Sequence, residues 1–330
     1  MSANIDFKNY TDSDYEALCS FLIALNENDD RHINWNWARL EWMIEHPEFD
    51  KSLKNSIGLW TVDDKIVGAA IYDMYFGEGF CGVLPEYKDL YKAVLEYACN
   101  ELRDDSGFGL AICDENTDEL EMTKSLGFTP SDLDETIMER SLDVRSLDAK
   151  LPDGLKLFCP DPVENAYDLQ WLFWQGFDHG DDKAEFEREE EIVPRVRKHF
   201  NKDLGVAAVN EKGEMVACCL LWYMAGTDYV YVEPVCTIPA YRGKGIAKAL
   251  IFEAFRRAKN LGATRAYVIS DMEFYERLGF RKKHHYSFFW KKDVDYECND
   301  YKAEWNFDNW GIRYWSRTPE FEEYLKSGTS

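Results

Sequence analysis

The chain lacks most of what would send a protein to a membrane, a secretory route or a nucleic acid. It opens Met-Ser-Ala-Asn-Ile-Asp-Phe-Lys, with no basic stretch ahead of an apolar run, so no signal peptide is read there. The longest apolar run, Val216 to Ala225, is too short to span a bilayer. Positive charge is scarce: 38 Lys and Arg stand against 62 Asp and Glu, a formal net charge of −24. A nucleic-acid binder would need a basic stripe, and an anionic membrane surface would repel this chain. No Cys-x-x-Cys occurs among the nine cysteines, and adjacent Cys218 and Cys219 would face opposite sides of a strand. Reduced thiols in a cytoplasmic protein are the expectation. The six histidines include no ligand pair, since His284 and His285 would also alternate, so no metal site is read.

What is present points to packed globular domains. At 330 residues the chain exceeds one ordinary core, and 45% hydrophobic with 15% aromatic content suits two of them. The first half reads as a strand near Ile5 to Phe7, helices over Asp12 to Leu25 and Arg39 to Ile44, and a hairpin of Gly58 to Val62 with Ile66 to Tyr75. A helix over Tyr87 to Leu102, a strand over Phe108 to Cys113 and a short helix over Leu120 to Leu126 follow. The second half replays this order. Pro85-Glu86-Tyr87-Lys88 answers Pro239-Ala240-Tyr241-Arg242, and Ser125-Leu126-Gly127-Phe128 answers Arg277-Leu278-Gly279-Phe280, at a near-constant offset. The chain therefore reads as a duplicated α/β unit. The first copy is assigned residues 1–145, a linker 146–153 and the second copy 154–292; the aromatic-rich segment 293–330 is expected to pack back on them.

The richest stretch is Tyr229 to Leu250. Val, Tyr and Thr make its first half a strand, and Ile246, Leu250, Phe252 and Phe255 make the sequel a helix. Between them Arg242-Gly243-Lys244-Gly245 would aim consecutive backbone N–H groups at one spot, at the positive end of the helix dipole. That arrangement holds a phosphate or pyrophosphate. The first copy replaces the turn with Asp89-Leu90, losing two residues and both glycines, and carries Thr123 where the second has Tyr275. An aspartate there would repel a phosphate, so only the second copy is expected to hold the site.

Arg242-x-x-Gly245-x-Ala247, followed a helix and a strand later by Tyr275-Glu276-Arg277-Leu278-Gly279-Phe280, resembles the GNAT superfamily of N-acetyltransferases in order and spacing, over residues 204–292. The resemblance, in a tandem form, implies two α/β (α+β) domains, each a mixed, mainly antiparallel twisted sheet flanked by helices. It implies acetyl-CoA as co-substrate and a small-molecule or peptide amine as acceptor, and the acidic chain suits a cationic one. Its cofactor residues would be Arg242, Gly243, Lys244, Gly245, Ile246, Ala247 and Lys248 on the pyrophosphate, with Val235, Cys236 and Thr237 on the pantetheine arm. Tyr275 would be the general acid and Glu233 the general base, with His179 as a fallback. Pro234 cannot donate a ladder bond, which predicts a bulge where the strands of this fold part.

Trp174 to Asp182 falls where the family binds its acceptor. Val268 stands where the family often has Asn, which puts the neighbouring cofactor contacts in question. Direct attack by an amine is favoured over a Cys236 acyl-enzyme, because no histidine lies near Cys236 in the motif. The competing readings are a non-catalytic acyl-CoA sensor and transfer of a different acyl group.

Overall fold

A computed structural model describes residues 4–46, 49–143, 147–190, 192, 198–199 and 201–292. The aromatic segment 293–330 and part of the linker lie outside these. The chain divides into two compact units, and it passes from one to the other between Ile137 and Met138.

The first unit contains β1 (Asp6–Asn9), α1 (Tyr15–Leu25), α2 (Trp37–Ile44), β2 (Gly58–Val62), β3 (Lys65–Asp73), β4 (Tyr75–Val83), α3 (Tyr91–Glu101), β5 (Phe108–Cys113) and α4 (Thr117–Ser125). β6 (Thr129–Ser141) then carries the chain out of it. The β2–β3 hairpin turns on Asp63 and Asp64, both at positive φ, the conformation that matches strand twist in a two-residue turn. The helix expected from Tyr87 starts at Tyr91, because a 3-10 turn over Pro85–Leu90 precedes it. β1–β2, β2–β3 and β3–β4 are antiparallel, whereas β4 and β5 run parallel.

The second unit holds β7 (Lys156–Phe158), α5 (Ala166–Gly176), α6 (Lys183–Glu189), β8 (Val206–Val209), β9 (Met215–Trp222), β10 (Tyr229–Thr237), α7 (Ile246–Asn260), β11 (Arg265–Ile269) and α8 (Glu273–Arg277). Its sheet runs β7-β8-β9-β10-β11, antiparallel except for the β10–β11 pair. β4, α3 and β5 thus repeat as β10, α7 and β11. The last described strand, β12 (Arg281–Lys291), follows the second unit in sequence but pairs antiparallel with β5, and residues 282–292 group with the first unit. Its apolar residues Tyr286 and Phe289 are buried there.

The first unit's core encloses an ion cluster. Arg39, 3% exposed, donates to both Glu135 carboxylate oxygens at 3.1 and 2.9 Å and to Asn34 O at 2.9 Å, and lies over the Phe80 ring. Truncating one partner of such a pair strands a buried charge. Arg39→Met should therefore cost about 3–5 kcal/mol, seen as a lower urea midpoint for this unit, while an unchanged midpoint would show that the pair contributes nothing net.

Candidate functional site

The second unit assembles one concentrated set of chemical groups around the end of β10. β10 and β11 pair at Tyr229↔Arg265, Val230↔Ala266 and Tyr231↔Tyr267, and the ladder stops there. Against β9 the register slips between Val232 and Val235, so the bulge expected at Pro234 is present; the Glu233–Pro234 peptide is cis. Trp222 Nε1 donates to Glu233 O at 2.8 Å and so holds the displaced backbone. Beyond the slip, Ile238 N–H donates to Val216 O at 3.0 Å. By the alternation of an antiparallel ladder, Cys236 also turns its backbone groups toward β9, while Val235 and Thr237 turn theirs toward the side that β11 has left. Sequence reading treated these three residues alike; register separates them.

The turn into α7 has the form the glycines foretell. Gly243 and Gly245 adopt φ of +74° and +78°, a region that L-residues enter only at a cost, and no atom lies within 4 Å of where a Cβ would stand on either. The first backbone bond of α7 runs from Ala249 N–H to Gly245 O at 3.1 Å. Among the described residues, the six N–H groups from Gly243 to Lys248 therefore have no acceptor. Six adjacent unbonded donors thus lie at the positive end of a fifteen-residue helix, the kind of terminus that favours an anion.

The lysine and arginine side chains behave differently from one another. Arg242 donates to Thr237 O, Gly176 O and Asp178 Oδ2, each at 2.9 Å, so its guanidinium ties the turn to the ends of β10 and α5. Lys244 bonds Ala240 O at 2.9 Å, folded back over Tyr241, whereas Lys248 lies along the first turn of α7 over Phe252. At Gly176 a Cβ would come within 2.8 Å of Cys236 Cβ and Sγ, so only glycine lets α5 end against β10.

Tyr275 in α8 is 8% exposed, packed edge-on against Phe274 and Phe280. Among the described residues its hydroxyl makes no hydrogen bond. Burial first, then the nearby Glu233 and Cys219, push its pKa up, so it stays protonated at neutral pH. The two residues expected to act as acid and base are thus within electrostatic reach of each other. Cys236 points away from them into the core formed with Leu172 and Cys218, its sulfur 3.7 Å from that of Cys218, and burial holds its thiol well above the ordinary range. A neutral thiol there is a poor nucleophile.

The segment expected as an acceptor loop is partly helix, since Trp174 to Gly176 complete α5. Asp178 is engaged by Arg242, and Asp182 caps α6 by accepting from Ala184 N–H at 2.9 Å. Gly176 and Asp178 belong to the segment expected as an acceptor loop, but here they anchor Arg242; Trp222 was not foreseen. Trp222 carried a readable signal, a tryptophan at the end of the strand hairpinned to the one with Pro234.

Fold and site together set a strand gap beside a helix start whose amides are unbonded. Residues 163–280, in the second half, match the family model described as Acetyltransferase (GNAT) family. In fold the chain is similar to a tandem GNAT protein from the clavulanic acid biosynthesis pathway, at 13% identity and a TM-score of 0.60 over 88% of this chain and 98% of that one. It is also similar to a GCN5-related N-acetyltransferase from Sphaerobacter thermophilus, at 17% identity and a TM-score of 0.54 over 87% and 95% of the two chains.

Gly245→Ala should cost about 1–2 kcal/mol, the penalty of a left-handed L-residue, because the space around the position is open and conformation alone decides. Urea denaturation measures it, and a neutral result would mean that the turn relaxes to negative φ.

Proposed function

We propose that the second half binds acetyl-CoA and catalyses transfer of its acetyl group to an amine, by direct attack of the amine on the thioester. The observation that carries this reading is the run of orphan N–H groups from Gly243 to Lys248 beside strands that part after Tyr231. In it the backbone of Gly243, Lys244, Gly245, Ile246, Ala247 and Lys248 holds the pyrophosphate. Arg242 serves the turn's shape, not its charge. Val235 and Thr237 offer main-chain groups to the pantetheine arm, as an added strand would use them.

Glu233 takes the proton of the ammonium, directly or through a water, and leaves the nitrogen lone pair free to attack the carbonyl carbon. As the C–S bond breaks, Tyr275 gives its proton to the departing thiolate, the second proton of the attacking nitrogen leaves to water to give the amide, and Tyr275 is reprotonated from solvent. Its raised pKa suits this role, because a tyrosine already ionised could not donate. The buried, neutral Cys236 supports direct attack over an acyl-enzyme. An acidic chain favours a cationic amine, although Asp178 and Asp182 are already occupied in holding the loop.

A panel of amines with acetyl-CoA, followed by release of free thiol, tests the activity. Tyr275→Phe should lower kcat by about 10²-fold or more and leave the CoA dissociation constant unchanged. Unchanged turnover would remove Tyr275 from the mechanism. Tight CoA binding with no turnover on any amine would make the chain a sensor instead, and tighter binding of longer acyl-CoAs than of acetyl-CoA would point to a different acyl group.

A further inference from the structure

The first unit brings together a set of reactive side chains of its own. β12 pairs with β5 so that Tyr286 lies opposite Cys113, and Asp114 N–H donates to His285 O at 2.9 Å. His284 stands two residues before Tyr286 on β12 and so shares its face. Opposite residues of an antiparallel pair share a face, so Cys113 and His284 project to one side. Asp114, His285 and Ser287 go to the other, where they bond among themselves. A tight turn, with Asn116 N–H on Cys113 O at 2.9 Å, brings Glu115 back over Cys113, and Arg31 Nη1 holds Glu115 O at 3.2 Å.

The ligand-capable atoms of Cys113, Glu115 and His284 all lie within 4.8 Å of one another. Cys113 is 2% exposed and His284 7%, while Glu115 reaches solvent. His284 Nε2 is 2.9 Å from Asp30 Oδ1, and Asp30 is braced in turn by Lys283 at 3.1 Å. That bond orients the ring and assigns the outer nitrogen to Asp30. The inner one, Nδ1, is buried and faces Cys113 and Glu115, whose Oε2 lies 3.3 Å away. A carboxylate–imidazole pair whose far nitrogen points at a thiol and a second carboxylate is the usual support around a zinc ligand.

We propose that Cys113, Glu115 and His284 bind one Zn²⁺ ion, with Asp30 positioning the histidine and a water as fourth ligand. Mixed sulfur, nitrogen and oxygen donors in a three-residue set select Zn²⁺ over Mg²⁺ or Ca²⁺, which prefer all-oxygen shells. The Zn–S bond forms as the Cys113 thiol proton leaves to solvent, together with any proton on Nδ1. The ion staples β12 to β5, the strand that precedes it in the same sheet. Sequence spacing could not reveal the set, since it uses a single histidine and the register of two strands far apart in the chain.

The test is a titration of the full chain, stripped with chelator, first with Co²⁺ and then with Zn²⁺. One equivalent of Co²⁺ should give a thiolate-to-cobalt charge-transfer band with visible bands of tetrahedral intensity, and Zn²⁺ should erase both. Cys113→Ser should abolish the charge-transfer band, whereas Cys159→Ser, at the exposed cysteine, should keep it. Asp30→Asn should weaken Zn²⁺ binding by about 10–100-fold. Glu115→Gln, on the surface and harmless to folding, should weaken it about tenfold or more, which keeps the test decisive even where Cys113→Ser fails to fold. The proposal is overturned by absence of saturable binding at one equivalent, by a band that survives Cys113→Ser or vanishes in Cys159→Ser, or by full affinity in Glu115→Gln.

Discussion

The site depends on one broken ladder. β10 and β11 are parallel neighbours for three residue pairs and then separate, because the register slip at Val232–Val235 bends β10 away. A strand edge left unpaired in a sheet interior is costly unless something supplies its hydrogen bonds. Here the exposed main chain at Val235 and Thr237 lies next to the unbonded amides that open α7. Trp222 and Arg242 hold the two sides of this opening, one at Glu233 O and the other at Thr237 O. The polar groups left over are therefore held in place and unmet, as a binding site for an extended ligand with an anionic end requires.

The duplicated first half shows which ingredient decides. β4 and β5 are also parallel and also pair only briefly, at Glu78↔Gly109 and Gly79↔Leu110. The turn after β4 closes on itself, with Tyr87 N–H on Leu84 O at 2.8 Å and Tyr91 N–H on Lys88 O, and puts Asp89 at the helix start. Parted strands thus occur in both copies, but orphan amides with open space before them occur in the second. The position of the two glycines separates a scaffold from a candidate site.

Much of this was legible in the sequence, and the rest has identifiable physical causes. Alternating apolar residues and turn chemistry gave β5, the β2–β3 hairpin and α7 nearly to the residue, and Pro234 announced the bulge. Glycine spacing marked the anion site, because few side chains tolerate φ near +75°. Contacts between distant segments left no such mark. The engagement of Arg242 with Gly176 and Asp178, the turning of Cys236 into the core and the pairing of β12 with β5 depend on tertiary register, which no local pattern encodes. Helix starts shifted for a related reason: the 3-10 turn over Pro85–Leu90 has helix-like composition but different bonding.

On the proposed function, the coenzyme binds once, at the start of α7. Amide hydrogen exchange, followed by mass spectrometry with and without CoA, tests this most directly. Protection should appear in peptides covering Gly243 to Lys248, and the matching peptides around Pro85 to Tyr91 should be unchanged. Protection confined to the first half, or equal in both halves, would contradict it.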